Sequence, residues 1–150
     1  MRSIASLSNL KNQVALITGG AGHIGRSVAG GLAELGCSLV LVDLPNSAVF
    51  DVSAEIASRF GVNVWSVEVD LENEKDRIKL LELVQNVPGR LDVLINNAAF
   101  VGDSKIEGWV VPFAEQSVET VRRCLEVNLT AAFHLSQLFA PLLSEHDKGR

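Results

Sequence analysis

The densest chemical signal in the chain is Thr18-Gly19-Gly20-Ala21-Gly22-His23-Ile24-Gly25. A short apolar run, Val14 to Ile17, enters it, and a helical pattern leaves it. A strand that feeds a helix through glycines makes an anion site. Backbone N–H groups at the helix start face outward, and the absence of Cβ atoms lets a pyrophosphate come close. Asp43 follows 18 residues after Gly25, at the end of a second apolar run. A carboxylate there would accept hydrogen bonds from the ribose hydroxyls of a dinucleotide. It would also repel a 2′-phosphate: two unit charges about 4 Å apart, at an effective dielectric near ~20, interact by about 4 kcal/mol. No Lys or Arg follows in Leu44-Pro45-Asn46 to offset that. Loop and acid together predict a dinucleotide site, with NAD preferred over NADP.

A rival chemistry shares the same residues. Gly20 to Ser27 comes within one residue of the triphosphate loop Gly-x4-Gly-Lys-Ser/Thr, but Arg26 stands where the lysine belongs. That lysine contacts the β- and γ-phosphates, and arginine is not its equivalent. The dinucleotide reading is therefore preferred. A branched side chain at Gly19 is expected to block the pyrophosphate while leaving the fold largely intact. Gly30 and Gly31 lie mid-helix, where each costs up to about 1 kcal/mol relative to Ala. Close packing of that helix on a sheet would explain them.

The elements that must carry this loop are legible from the apolar pattern. Strands are expected at Val14–Ile17, Leu39–Val42, Val62–Val69 and Leu91–Ile95. Between them run helical periods: Ile24 to Leu35, Val52 to Phe60, and a third marked by Ile78, Leu81 and Val84. A loop from Ala98 to Gln116, bearing Phe100, Trp109 and Phe113, precedes a long helix from about Ser117. Alternating β and α elements of this kind build a parallel sheet covered on both faces. The chain reads as one α/β domain over residues 1–150, a Rossmann-type doubly wound sheet in the order 3-2-1-4.

Composition narrows the function classes. Of 150 residues, 47% are apolar and 21% charged, a globular balance. A formal charge of −5 argues against nucleic-acid partners or an anionic membrane surface. No apolar run is long enough to span a bilayer, and Met1 to Asn12 lacks the apolar block of a secretory signal. Asn128-Leu129-Thr130 fits a glycosylation sequon but falls inside a helical pattern and is read as chance. Cys37 and Cys124 form no Cys-x-x-Cys pair and read as small buried apolar residues. His134 and His146 show no ligand spacing and read as surface residues, so no metal site is expected. Asn128 falls with Val121, Leu125, Ala132 and Leu135 on a stripe at helical spacing, and a buried amide there needs partners.

Three further elements join the glycine loop: Asp70-Leu71 after strand three, Asn96-Asn97-Ala98-Ala99 after strand four, and Asn128-Leu129-Thr130 in the long helix. Together they resemble the short-chain dehydrogenase/reductase family, compact branch, over essentially the whole chain. The resemblance implies an NAD-dependent oxidoreductase passing a hydride between nicotinamide and a carbonyl or secondary alcohol. It assigns the pyrophosphate to Thr18, Gly19, Gly22, His23, Ile24 and Gly25, and the adenosine ribose to Asp43. Asp70 and Leu71 would meet the adenine. Asn97, Ala98 and Ala99 would lie along the cofactor, with Thr18 tying the loop to their strand. Asn128 matches the family's catalytic asparagine, which supports a proton relay through water. A cytoplasmic, homo-oligomeric enzyme acting on a small molecule is the expected whole.

Two departures qualify the match. His23 takes the place of the loop's middle glycine and Gly22 shifts forward, a spacing nearer the extended branch of sugar-nucleotide epimerases and dehydratases. Second, the family's serine and Tyr-x-x-x-Lys are not found, and the chain has no tyrosine at all. The chain is therefore expected to be the N-terminal portion of a longer enzyme, incomplete at its C-terminal side and inactive alone. A non-catalytic NAD-binding module is the alternative, and the epimerase reading a further one. The order 3-2-1-4 would also leave strand four on an open edge, which invites aggregation.

Overall fold

The computed structural model describes residues 9–101 and 106–145. The first eight residues, His146 and Gly149-Arg150 lie outside that range. Four parallel strands form one sheet: β1 (Val14–Thr18), β2 (Ser38–Asp43), β3 (Val64–Glu68) and β4 (Val93–Ile95), in the order β3-β2-β1-β4. Register places Leu16 between Val40 and Leu94. Helices α1 (His23–Glu34), α2 (Val49–Phe60) and α3 (Glu74–Asn86) connect successive strands. A long helix follows, made of α4 (Val118–Leu125), a π-helical turn over Glu126–Ala131, and α5 (Ala132–Ser144). This is the Rossmann-type architecture expected from the alternating pattern.

The period of two along each strand divides the core into two layers. Leu16, Val40 and Val42 face one way and pack with Leu80, Val84, Ala131, Leu135 and Phe139 of α3 and the long helix. Ile17, Leu39 and Leu41 face the other way, onto Ala29, Ala33, Val52 and Ile56 of α1 and α2. All of β1 and the middle of β2 are buried, as interior parallel strands should be.

The elements depart from expectation in four places. β3 and β4 are shorter than their apolar runs. At β4 the reason is Asp92: its buried carboxylate accepts the Val14 N–H at 2.9 Å and takes two 2.6 Å bonds from Arg90, so a side chain does the ladder's work there. On α3 the buried face is Arg77, Leu80 and Val84, while Ile78 is exposed. Gly30 and Gly31 do not mark close packing, because a Cβ built on either meets nothing within 4 Å. Of the stripe expected through Val121, Leu125, Asn128, Ala132 and Leu135, the first three face solvent and Leu135 is buried, beside Thr120, Ala131 and Phe139. The π turn accounts for that last shift: its i→i+5 pattern inserts a residue and rotates the faces on either side.

Of the two cysteines, Cys37 is buried, as expected, and burial pushes its thiol up to about 11, aided by the charge of Asp92. Cys124 is only half-buried. Among the described residues, no helix is long and apolar enough to cross a membrane, and no three His, Cys, Asp or Glu side chains group as metal ligands.

Candidate functional site

The carboxyl ends of β1, β2, β3 and β4 open onto one groove, where a doubly wound sheet binds its ligand. The glycine loop forms its floor. Gly19 has φ +66°, and a Cβ there would lie 3.0 Å from the Ala98 Cα. A Cβ on Gly25 would fall on the Gly19 carbonyl oxygen, so the first turn of α1 rests directly on the loop backbone. A side chain at Gly19 would therefore strain the loop backbone and press on the end of β4, besides crowding the groove.

Gly22 differs from both. It caps α1 in extended conformation (φ −72°, ψ 164°), and a Cβ there would meet only the Gly19 oxygen at 3.3 Å. No side chain caps α1, and its first turn holds no acid. The first N–H groups of a helix have no intrahelical acceptor, and here they face the groove beside Gly22, His23 and Ile24. An uncapped positive helix end with room beside it fits a pyrophosphate.

Asp43, at the tip of β2, is fixed by two backbone donors. Its Oδ2 accepts from Ala21 N–H and its Oδ1 from Leu44 N–H, both at 2.8 Å. Each oxygen keeps a free lone pair for a hydroxyl donor. A second acid escaped the sequence reading. Glu68 pairs in register with Asp43 at the end of β3 and accepts the Asn46 N–H at 2.7 Å. Cross-strand register was needed to place it, and spacing along the chain does not give that.

Thr18 joins the loop to the end of β4. Its hydroxyl donates to the Ile95 carbonyl at 3.4 Å and accepts N–H groups of Asn97 and Ala98 at 3.0 Å. The Asn97 amide donates to the Thr18 and Gly19 carbonyls at 2.9 and 3.2 Å. Asn96 points elsewhere, to Ser136 Oγ at 3.2 Å. Ala98 and Ala99 line the groove between the loop and an apolar pocket.

That pocket is bounded by Asp43, Asp70, Leu71, Phe100 and Val127. Asp70 Oδ1 takes the Glu72 N–H at 3.0 Å and so shapes the turn into α3. At the rim, Arg123 makes two bonds to Glu72, at 2.7 and 3.0 Å, and lies 5.5 Å over the Phe100 ring. Hydrogen bonding to Glu72 raises the Arg123 pKa further above its usual range. Phe100 meets Trp109 edge-on at 5.7 Å. Phe113 of the same loop is exposed, and residues 102–105 of that loop lie outside the described range.

Asn128 sits on the π turn, exposed, with its amide committed. Its Oδ1 accepts the Phe100 N–H at 2.6 Å, and its Nδ2 donates to the Phe100 carbonyl at 3.5 Å and to Cys124 Sγ at 3.3 Å. The structure thus brings the loop, Asp43, Asp70, Leu71 and Asn97 to Ala99 onto one groove, with Asn128 behind its wall. The sequence reading missed the π turn, the Arg123–Glu72 pair and buried Arg77. His134, expected on the surface, is half-buried and accepts a hydrogen bond from Arg77 at 3.1 Å.

Known proteins resemble this chain throughout. The family model for short chain dehydrogenase matches residues 13–150. A 3-hydroxyacyl-CoA dehydrogenase type-2 from Drosophila melanogaster is 33% identical over 94% of this chain and 53% of its own length. The solved structure of NADPH-dependent 3-quinuclidinone reductase from Rhodotorula rubra superposes with a TM-score of 0.83 at 30% identity, covering 97% of this chain and 52% of that one. An NAD+-bound xylitol dehydrogenase gives a TM-score of 0.81 at 28% identity, over 94% and 52%. The chain spans about half the length of the curated relatives it matches.

Proposed function

The chain belongs to the short chain dehydrogenase family, and from that premise we propose that it is the dinucleotide-binding half of an oxidoreductase that prefers NAD. The observation that carries this reading is the uncapped start of α1 beside Gly22, with Asp43 anchored one strand away. Gly19, Gly22, His23, Ile24 and Gly25 would hold the pyrophosphate, with Thr18 tying the loop to the end of β4, and Asp43 the adenosine ribose. Asp70 and Leu71 would border the adenine, and Asn97, Ala98 and Ala99 the rest of the cofactor. The nicotinamide would give a hydride to a carbonyl or, in its oxidised form, take one from a secondary alcohol.

Charge supports the choice of NAD. Asp43 lines the groove at the tip of β2, its register partner Glu68 adds a second carboxylate on the next strand, and Leu44-Pro45-Asn46 holds no Lys or Arg. Similar proteins use both cofactors, as the NADPH-dependent reductase and the NAD+-bound dehydrogenase illustrate. Asn128 would act through its position. Its amide is spent on Phe100, so a relay water would be held by the main chain of the π turn rather than by that side chain.

The 150 residues hold no tyrosine. A developing alkoxide needs a positioned acid, whose loss typically costs about 10²–10⁴-fold. By itself the chain is expected to bind NADH without turning it over. A homo-oligomeric, cytoplasmic enzyme with a small-molecule substrate remains our reading of the whole protein. Calorimetric titration with NADH and NADPH tests the assignment. NADH should bind at least about tenfold more tightly, since a repulsion of only about 1.4 kcal/mol suffices for that factor. Equal or tighter NADPH binding overturns it.

A further inference from the structure

Among the described residues, Arg77 and Asp92 are the charged residues that the fold buries. Asp92 is answered by Arg90 and Val14 at the opposite end of the sheet from the groove. Arg77 stands on the inner face of α3, where the helix period calls for an apolar side chain. Its guanidinium reaches three separate elements. One Nη donates to the Leu71 carbonyl, in the turn that borders the adenine pocket. The other meets the Glu126 carboxylate at 2.9 Å, at the first residue of the π turn. Nε donates to His134 Nδ1 at 3.1 Å, just past that turn on α5.

These partners bracket the site from behind. Leu71 and Val127 are walls of the apolar pocket, and Val127 follows Glu126 directly. Asn128 comes next and grips the Phe100 backbone, a third wall of the same pocket. A buried ion pair is weak evidence for stability, because an apolar replacement often serves as well. A planar fork with donors in three directions fixes geometry in a way a filler cannot. We propose that Arg77 is a positioning residue: it holds the π turn against the turn after β3, so that Leu71, Val127 and Phe100 stand at the spacing an adenine ring requires. The assignment of that ring rests on the dinucleotide reading above.

The test uses the 150-residue chain with Arg77→Met and Arg77→Lys, read below their melting temperatures. The readouts are NADH titration by fluorescence and hydrogen exchange at the Phe100 amide. Arg77→Met keeps the volume and removes all three bonds. It should weaken NADH binding about tenfold, within the range of couplings carried by packed networks, and speed exchange at Phe100. Arg77→Lys should fall near Arg77→Met, because one ammonium cannot span three acceptors in three directions. Wild-type affinity and wild-type Phe100 exchange in both variants, with only the melting temperature lowered, would reduce Arg77 to a core residue and overturn the proposal. If Arg77→Met fails to fold, His134→Leu decides: faster Phe100 exchange supports the proposal, and unchanged exchange refutes it. Should the unaltered chain bind no NADH, the dinucleotide reading falls. The Phe100 exchange then still tells whether Arg77 sets the turn.

Discussion

Gly22 separates binding from folding in a way Gly19 cannot. At Gly19 any side chain meets both a positive φ and the Ala98 backbone, so Gly19→Val strains the loop as well as crowding the groove, and its two effects cannot be separated. Gly22 caps α1 with ordinary extended angles. Asp is a good N-cap residue, and stability should change by only a few tenths of a kcal/mol or so, in the favourable direction. The new carboxylate would sit at the pyrophosphate site proposed above, and about 2–4 kcal/mol of repulsion predicts a loss of about 30-fold or more in NADH affinity. Circular dichroism and NADH titration of Gly22→Asp check both halves. A folded variant with wild-type affinity would remove the pyrophosphate from this loop. The residue-scale signals that sequence could show were those set by local chain geometry: the loop, Asp43, Asn97. Glu68 and Arg77 were invisible because their significance comes from strand register and from a helix face that hydropathy assigns to apolar residues.

For the elements, order and type were legible and ends were not. Each strand carried an apolar run and each helix a period, which burial on two faces makes obligatory. Ends are set by particular bonds. Asp92 truncates β4, and the Asn73 carboxamide starts α3 by accepting the Lys75 N–H at 3.0 Å. The long helix misled the periodicity because a π turn breaks the spacing that periodicity assumes. α1 carries a liability that this fold does not use. Gly30 and Gly31 have open space where a Cβ would go. Ala at each position should stabilise the chain by about 0.5–1 kcal/mol, read as a rise in denaturation midpoint at unchanged slope. NADH affinity should not move. A fall in stability would mean that α1 needs those glycines after all.

For the molecule as a whole, the sheet has two open edges. β1 and β2 are covered on both faces and paired on both sides, whereas among the described strands β3 pairs with β2 alone and β4, the more apolar of the two edges, with β1 alone. Val93, Leu94 and Ile95 are only half-buried. An apolar parallel strand with an open edge offers unpaired backbone groups to another chain. The purified 150-residue chain should therefore self-associate, with its sedimentation coefficient rising over about a tenfold range of concentration, as mass action requires. Hydrogen exchange locates the contact. Protection gained at Val93 to Ile95 confirms the edge. Protection gained instead at Leu129 and Phe133, which are exposed on the long helix, assigns it to the helix face.

The π turn also bears on how this chain tolerates changes of length. Losing one residue inside a helix ordinarily turns everything beyond it by about 100° and moves the buried face into water. Between Glu126 and Ala131 the helix already carries one residue more than an α-helical path needs. Removing exposed Leu129 would let the turn relax to regular α geometry, with Val127 and Ala131 still on the inner face. The fold would survive a deletion that most helices do not, and the casualty would be the grip of Asn128 on Phe100.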